Sequence, residues 1–337
     1  MSDLAEYASL LHEKERRVFD RVLKPQVCNT CFETLKGMRA VIFDVYGTLV
    51  NYWRPGFNSI QEREKTLMEA FTELAGRFGM EETLAKMNPA DAPGKTLSDF
   101  YHGLIALNHE KALGKGVEYP EIRIEQIWSV ILMMLERNGY AKERRRVSVD
   151  NREFAFADTA GFARCLAYTY NFLSMGRVLY PNVTRALRKL KEDNIVLGIL
   201  SNAQFYTPID LTLLFRDESG GKVEDFNELF DPDLTFFSYE YGVSKPDNLM
   251  FRKLFDALYE YHITPAQTVF VGNDLLIDIA PAKALGMKTA FFCGDDAMAF
   301  QHDLGSQAAP DIVFHNWDEF AEKIYFHGEM ENDEKND

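Results

Sequence analysis

Apolar residues are distributed in two different ways along the chain. In one part they gather in short unbroken runs: RAVIF at 39–43, IVLGIL at 195–200, LTFF at 234–237, TVFV at 268–271, TAFF at 289–292 and DIVF at 311–314. Each run is bounded by polar or glycine-containing turns. Such runs predict strands buried on both faces of a parallel sheet, where no side is free to alternate with solvent. Between them, NVTRALRKLKEDN at 182–194, NLMFRKLFDALYEY at 248–261 and LLIDIAPAKALG at 275–286 carry the 3.6-residue spacing of amphipathic helices. Strands alternating with helices predict right-handed crossovers and an α/β fold: a doubly wound, mostly parallel sheet with a Rossmann-like core.

The alternation stops between residues 52 and 178. EREKTLMEAFTELAGRF, TLSDFYHGLIALNHEKAL and IEQIWSVILMMLERNG all have helical spacing, so this stretch is expected to be an inserted all-helical domain. The core then comprises 39–51 and 179–327. Residues 1–38 form an N-terminal extension, with a helix expected over 3–24 from Leu4, Leu10, Leu11, Val18 and Val22. Residues 328–337 are acidic, poor in apolar side chains, and expected to be disordered.

At 337 residues a two-domain chain is the natural expectation, and 46% hydrophobic content supplies a real core. The net charge of -15 argues against nucleic acid as the main partner, but not against a small anionic substrate held by a local field. No run approaches the 18 or so apolar residues a spanning helix needs, and the charged first residues lack an apolar signal core, so a cytoplasmic protein without a membrane partner is expected. Four cysteines make no disulfide framework at this length. Cys28 and Cys31 form a lone C-x-x-C with no second ligand pair, which reads as local packing ahead of metal or redox work. Nothing in the sequence sets an oligomeric state.

In an open parallel sheet, ligands bind beyond the carboxyl ends of the strands. Asp44 follows the first run, Ser201 and Asn202 end the second, Lys245 stands in VSKPDN, and Asn273, Asp274 and Asp278 follow TVFVG. A strand-terminal aspartate is usually a turn former; four such features on one sheet edge point to chemistry. DVYGTLV at 44–50, LSNA at 200–203, SKPD at 244–247 and GNDLLID at 272–278 resemble, in order and spacing, the four motifs of the haloacid dehalogenase-like hydrolase superfamily. The helical insert resembles that family's C1 cap.

The resemblance implies a covalent aspartyl intermediate on Asp44, splitting one difficult step into two. It implies that Lys245 keeps Asp44 ionised, that Thr48 braces the loop, and that Ser201 and Asn202 hold a substrate oxygen. Gly47 suits the turn away from the strand, and Pro246 suits the first turn of a following helix. The implied cofactor is Mg2+, held by Asp44, the backbone carbonyl of Tyr46, Asn273, Asp274 and Asp278, since magnesium prefers hard oxygen donors. Arg54 is a candidate for substrate binding, and Arg77, Tyr52, Trp53 and His102 are further candidates in or beside the insert.

Two positions depart from the family's phosphatases. Tyr46 stands where they carry the aspartate that protonates the leaving group, and a phenol with an ordinary pKa near 10 is a poor substitute. Loss of such catalysis costs about 10²–10⁴ in rate. Asn273 stands where they carry the first aspartate of the last motif. Family dehalogenases do carry an aromatic at the position of Tyr46, because halide leaves without a proton. Their tyrosine after the motif lysine, however, falls here at Phe251. Three readings follow: a Mg2+-dependent phosphohydrolase of a small phosphorylated metabolite, which is favoured; a metal-independent 2-haloacid dehalogenase; and a catalytically weak scaffold with a binding or regulatory role.

Overall fold

A computed structural model describes residues 3–19, 21–28, 35–302 and 309–323. The acidic tail and Cys31 lie outside them. The chain divides into two units, one of 1–19 with 53–177 and one of 20–52 with 178–337.

The second unit is built on six parallel strands: β1 (Ala40–Phe43), β2 (Val196–Ser201), β3 (Thr235–Phe237), β4 (Thr268–Gly272), β5 (Lys288–Phe292) and β6 (Ile312–Phe314). Their spatial order is β6-β5-β4-β1-β2-β3, so β1 is central. Phe43 pairs with Ile199 on one side and Val271 on the other. Successive side chains of a strand point to opposite faces, and here both faces are covered. Val41, Phe43, Ile199, Val271 and Phe292 pack against Leu187, Leu214, Trp317 and Phe320. Ala40, Ile42, Leu200 and Phe270 pack against Met250, Phe251, Leu254 and Leu258. This two-sided burial is why the strand sequences run apolar without alternation, and the expected α/β doubly wound core is observed.

The first unit contains helices Ile60–Arg77, Glu81–Met87, Pro93–Leu113, Ile124–Arg137 and Thr159–Ser174. The N-terminal helix belongs with them. Tyr7 is fully buried there, its hydroxyl paired with that of Thr169 at 2.8 Å, and Arg77 bridges Glu15 and Glu73. That helix ends at Glu15 rather than 24, and Val18 and Val22 are exposed. The polar run HEKERR after Leu11 leaves no apolar stripe to bury. The stretch expected to be all helical also contains an antiparallel hairpin, Arg146–Val149 with Arg152–Ala155. Asp150 and Asn151 supply the two positive φ angles of its tight turn.

The expected helix over 275–286 is divided. Leu275–Ile279 form a π-helical turn and Ala280–Ala284 a short α-helix. Pro281 has no N–H to extend the ladder, and its ring crowds the carbonyl four residues earlier. Among the described residues no helix is long and apolar enough to cross a membrane.

Candidate active site

The carboxyl ends of β1, β2 and β4 bring the motif residues together. Asp44 directly follows β1 and is 6% exposed; its backbone N–H donates to Val271 at 2.9 Å, continuing the ladder one residue beyond the strand. The chain then turns sharply, with the N–H groups of Leu49 and Val50 both donating to the carbonyl of Val45. Gly47 has φ +87°, and a Cβ there would fall 2.3 Å from the Asn273 amide nitrogen. Glycine therefore lets the β1 loop lie directly on the β4 loop.

The carboxylate of Asp44 is held from three directions. Its Oδ1 accepts from the Ser201 hydroxyl at 3.0 Å and from Lys245 Nζ at 2.7 Å, while Oδ2 has the Thr48 hydroxyl at 3.3 Å. Thr48 also lies 2.9 Å from Asn273 Oδ1. One hydroxyl proton serves one of these acceptors at a time. The side chain of Lys245 is wholly buried, and its ammonium also donates to Asp278 Oδ1 at 2.6 Å. Asp278 Oδ2 accepts the Asp274 backbone N–H. The π turn delivers Asp278 to this place, and Gly272 makes room for it, since a Cβ there would meet the Asp278 Cβ at 2.4 Å.

Two buried carboxylates therefore share one buried ammonium, leaving a net negative charge when both are ionised. Burial, reinforced by Asp44 and opposed by Lys245, pushes the Asp278 carboxyl up to about 7. Burial alone would lower Lys245, but Asp278 and Asp44 outweigh it and raise its pKa. The lysine stays charged, and the unsatisfied electrostatic demand sits on the carboxylates.

Several expected residues take different positions. The amide of Asn202 is engaged by the backbone of Lys245, accepting its N–H at 2.6 Å and donating to its carbonyl at 3.2 Å. It shapes the lysine loop, where substrate contact was expected. Asp274 caps the π turn, accepting from the N–H groups of Leu276 and Ile277, with His302 at 3.1 Å on the same oxygen. Its Oδ1 thus serves as the cap of the π turn. Asn273 donates to the Met298 carbonyl at 2.5 Å, leaving its Oδ1 toward Thr48. Pro246 precedes the helix that begins at Asn248 with Asp247 as its cap, so it is not in the first turn. Within the helical unit, Arg54 donates to the Leu173 carbonyl and lies over the Phe19 ring, and His102 bonds Ser98.

Tyr46 is half-buried, its hydroxyl 2.9 Å from that of Thr207 and its ring edge-on to Tyr52. Thr207, which opens the helix Thr207–Glu218, is a site neighbour the motifs do not mark, as is the Met298 carbonyl. Among the described residues no group of three or more His, Cys, Asp or Glu is arranged to hold a metal ion. Any metal here must also use amide or backbone oxygens.

A stretch of 112 residues is 29% identical to a glyceraldehyde 3-phosphate phosphatase of Pyrococcus furiosus, covering 33% of this chain and 41% of that protein. Among solved structures, a HAD phosphatase from Thermococcus onnurineus is 16% identical, with 85% of this chain and 97% of that one covered and a TM-score of 0.45. A 2-haloacid dehalogenase from Pseudomonas syringae pv. Tomato DC3000 is 18% identical over the same shares, with a TM-score of 0.44. The family model for haloacid dehalogenase-like hydrolases matches residues 38–286, from the threshold of β1 through the last of the site residues. The chain belongs to the haloacid dehalogenase-like hydrolases.

Proposed function

We propose that the chain is a Mg2+-dependent phosphohydrolase of a small phosphorylated metabolite, acting through an acyl phosphate on Asp44. The observation that carries this reading is the buried pair Asp44 and Asp278 held by the single ammonium of Lys245. Two carboxylates against one cation, with Asp278 driven toward protonation, fit a second, hard cation. Asp44, Asp278, Asn273 Oδ1 and the Tyr46 carbonyl are the oxygens that would hold it; the Asp274 carboxylate is turned to its cap. When bound, Mg2+ would supply charge neutralisation for the phosphoryl oxygens.

The protein groups account for the rest. Asp44 Oδ1 is held by two donors at 3.0 and 2.7 Å and Oδ2 only by the longer 3.3 Å contact of Thr48, so Oδ2 is the oxygen better placed to attack phosphorus. A bond forms from Oδ2 to phosphorus as the bond to the leaving oxygen breaks; water then attacks phosphorus, the bond to Oδ2 breaks, and phosphate leaves with the carboxylate restored. Lys245 and the Ser201 hydroxyl hold the nucleophile in place through both steps. The Tyr46 hydroxyl lies 2.9 Å from that of Thr207, and a phenol with an ordinary pKa near 10 is a poor proton donor to a departing alkoxide. Leaving groups that depart as stable anions, such as acyl or aryl phosphates, therefore suit the site better than alkyl phosphates.

The same Tyr46–Thr207 contact favours a second reading, the metal-independent dehalogenation of a 2-halocarboxylate, because halide takes no proton. Phosphate and halide release from panels of phosphate esters and 2-haloacids, each with Mg2+ or EDTA, distinguishes the two. Phosphate release abolished by EDTA and by Asp44→Asn supports the phosphohydrolase. Halide release that survives EDTA overturns it.

A further inference from the structure

Residues 21–28 run beside the segment that follows β5. Gln26 N–H donates to the Cys293 carbonyl at 2.8 Å, Asp296 N–H donates to Lys24, and Arg21 pairs with Asp295 and Asp296. Cys28 packs onto the apolar cluster of Ile279, Phe291, Cys293, Ala299 and Val313; its thiol donates to the Gln26 carbonyl at 3.4 Å, beside the Cys293 carbonyl that accepts from Gln26, and the Cys293 thiol donates to the Phe314 carbonyl. The Gln301 amide donates to Cys28 Sγ at 2.9 Å, so Cys28 touches both ends of the strap 293–301. That strap is paired with the β4 loop: Met298 accepts from the Asn273 side chain, Phe300 N–H donates to the Asn273 carbonyl, and Leu275 N–H donates to the Phe300 carbonyl.

We infer that Cys28 and Cys293 are a reversible oxidative modification site, forming a disulfide that ties residues 21–28 to the strap paired with Asn273–Leu275. The two thiols have different environments. Cys28 is half-buried and accessible to a small oxidant; Cys293 is fully buried, and burial together with the Cys28 thiol pushes its pKa well up. Exposure and thiolate character decide which sulfur reacts first, and here that is Cys28.

With a hydroperoxide as oxidant, the Cys28 thiolate attacks one peroxide oxygen. An S–O bond forms, the O–O bond breaks, and hydroxide leaves and is protonated to water. Cys293 sulfur then attacks the sulfenic sulfur of Cys28, forming S–S and breaking S–O, and the departing oxygen leaves as water with the Cys293 proton. The two sulfurs lose two electrons in all, and the peroxide oxygens gain them.

The test uses the full-length reduced protein, exposed to hydrogen peroxide, alkylated, and digested without reductant for mass spectrometry. A peptide pair joining Cys28 to Cys293 is expected. Titratable thiols should fall from four to two, the four cysteines less the bridged pair, and dithiothreitol should restore them. Cys31→Ser should still form the bridge, and Cys28→Ser should not. In the bridged protein the Leu275 and Phe300 amides should exchange more slowly by about tenfold or more, because a cross-link narrows the opened ensemble. A Cys28–Cys31 bridge, sulfinic acid at Cys28 without a cross-link, or four surviving thiols would overturn the assignment. Equal exchange rates in the two states would overturn its coupling to the Asn273 loop.

Discussion

Replacing Asp278 by asparagine should change how stability depends on pH, and in a direction opposite to that of most ion-paired aspartates. A carboxyl in a favourable ion pair usually has a lowered pKa and loses its contribution as pH falls. Asp278 is pushed up to about 7, chiefly by burial, against about 3.9 for an unfolded chain. Between these values the folded state holds a proton that the unfolded state releases, so stability declines as pH rises through the window and levels off above it. About three units at about 1.36 kcal/mol each give a loss on the order of 4 kcal/mol. Asparagine cannot ionise and escapes this loss, but it has one oxygen where aspartate has two. Lys245 Nζ and the Asp274 N–H each use one of those oxygens, so the variant forfeits one hydrogen bond, at about 1–3 kcal/mol, at every pH. Urea denaturation of both proteins in EDTA, from pH 4.5 to 8.5, measures the difference. The variant should begin less stable than the native protein and gain on it by a few kcal/mol toward pH 7, with no further change above about pH 8. A difference that is constant with pH, or that moves against the variant as pH rises, would refute the view that the two carboxylates compete for one ammonium.

Asp44→Asn should remove turnover on every substrate while leaving the fold intact; turnover that persists would move the nucleophile elsewhere, whereas absence of turnover in the native protein would favour the scaffold reading. Tyr46→Asp should raise kcat on alkyl phosphates relative to aryl phosphates, with about 10²–10⁴ as the ceiling for a restored general acid, and unchanged ratios would show that leaving-group protonation does not limit the reaction. Tyr7→Ala should lower the stability of the helical unit by about 3–5 kcal/mol, seen as a lower midpoint in thermal unfolding, because the side chain is fully buried and its hydroxyl pairs with Thr169. A neutral result would mean that the N-terminal helix is not part of that unit's core.

The sheet was legible in the sequence because its strands are buried on both faces, so apolar runs alone mark them. The site was legible because parallel topology places every strand's carboxyl end on one edge, and four polar motifs follow four of those runs. What the sequence concealed was the partner each polar atom takes. Asn202 and Asp274 have the right chemistry to meet a ligand, yet their side chains are claimed by backbone groups of Lys245 and of the π turn. The partner of Asn202 lies 43 residues along the chain, where only the fold brings it, and that of Asp274 two residues on, where the turn that forms decides the contact. The hairpin at 146–155 was visible in principle, since Val147, Val149 and Phe154 alternate with polar residues around Asp-Asn, but its strands are short beside the surrounding helical pattern. The division of 275–286 turns on Pro281, whose effect on the turn before it depends on how much room the site leaves for Asp278.

The short ribbon joining Val50–Asn51 to Val178–Leu179 pairs Asn51 with Val178 antiparallel. The polypeptide therefore leaves the sheet unit after Asn51 and returns to it at Val178 at neighbouring positions, a crossing separate from the one at residues 19–20 that follows the N-terminal helix. Ends already held side by side can be joined by a turn of a few residues, at little cost in loop entropy. Everything between them is then interchangeable from the viewpoint of the sheet. Insertion, loss or exchange of residues 53–177 can then proceed over generations without disturbing the strands that carry Asp44, Ser201 and Asp278.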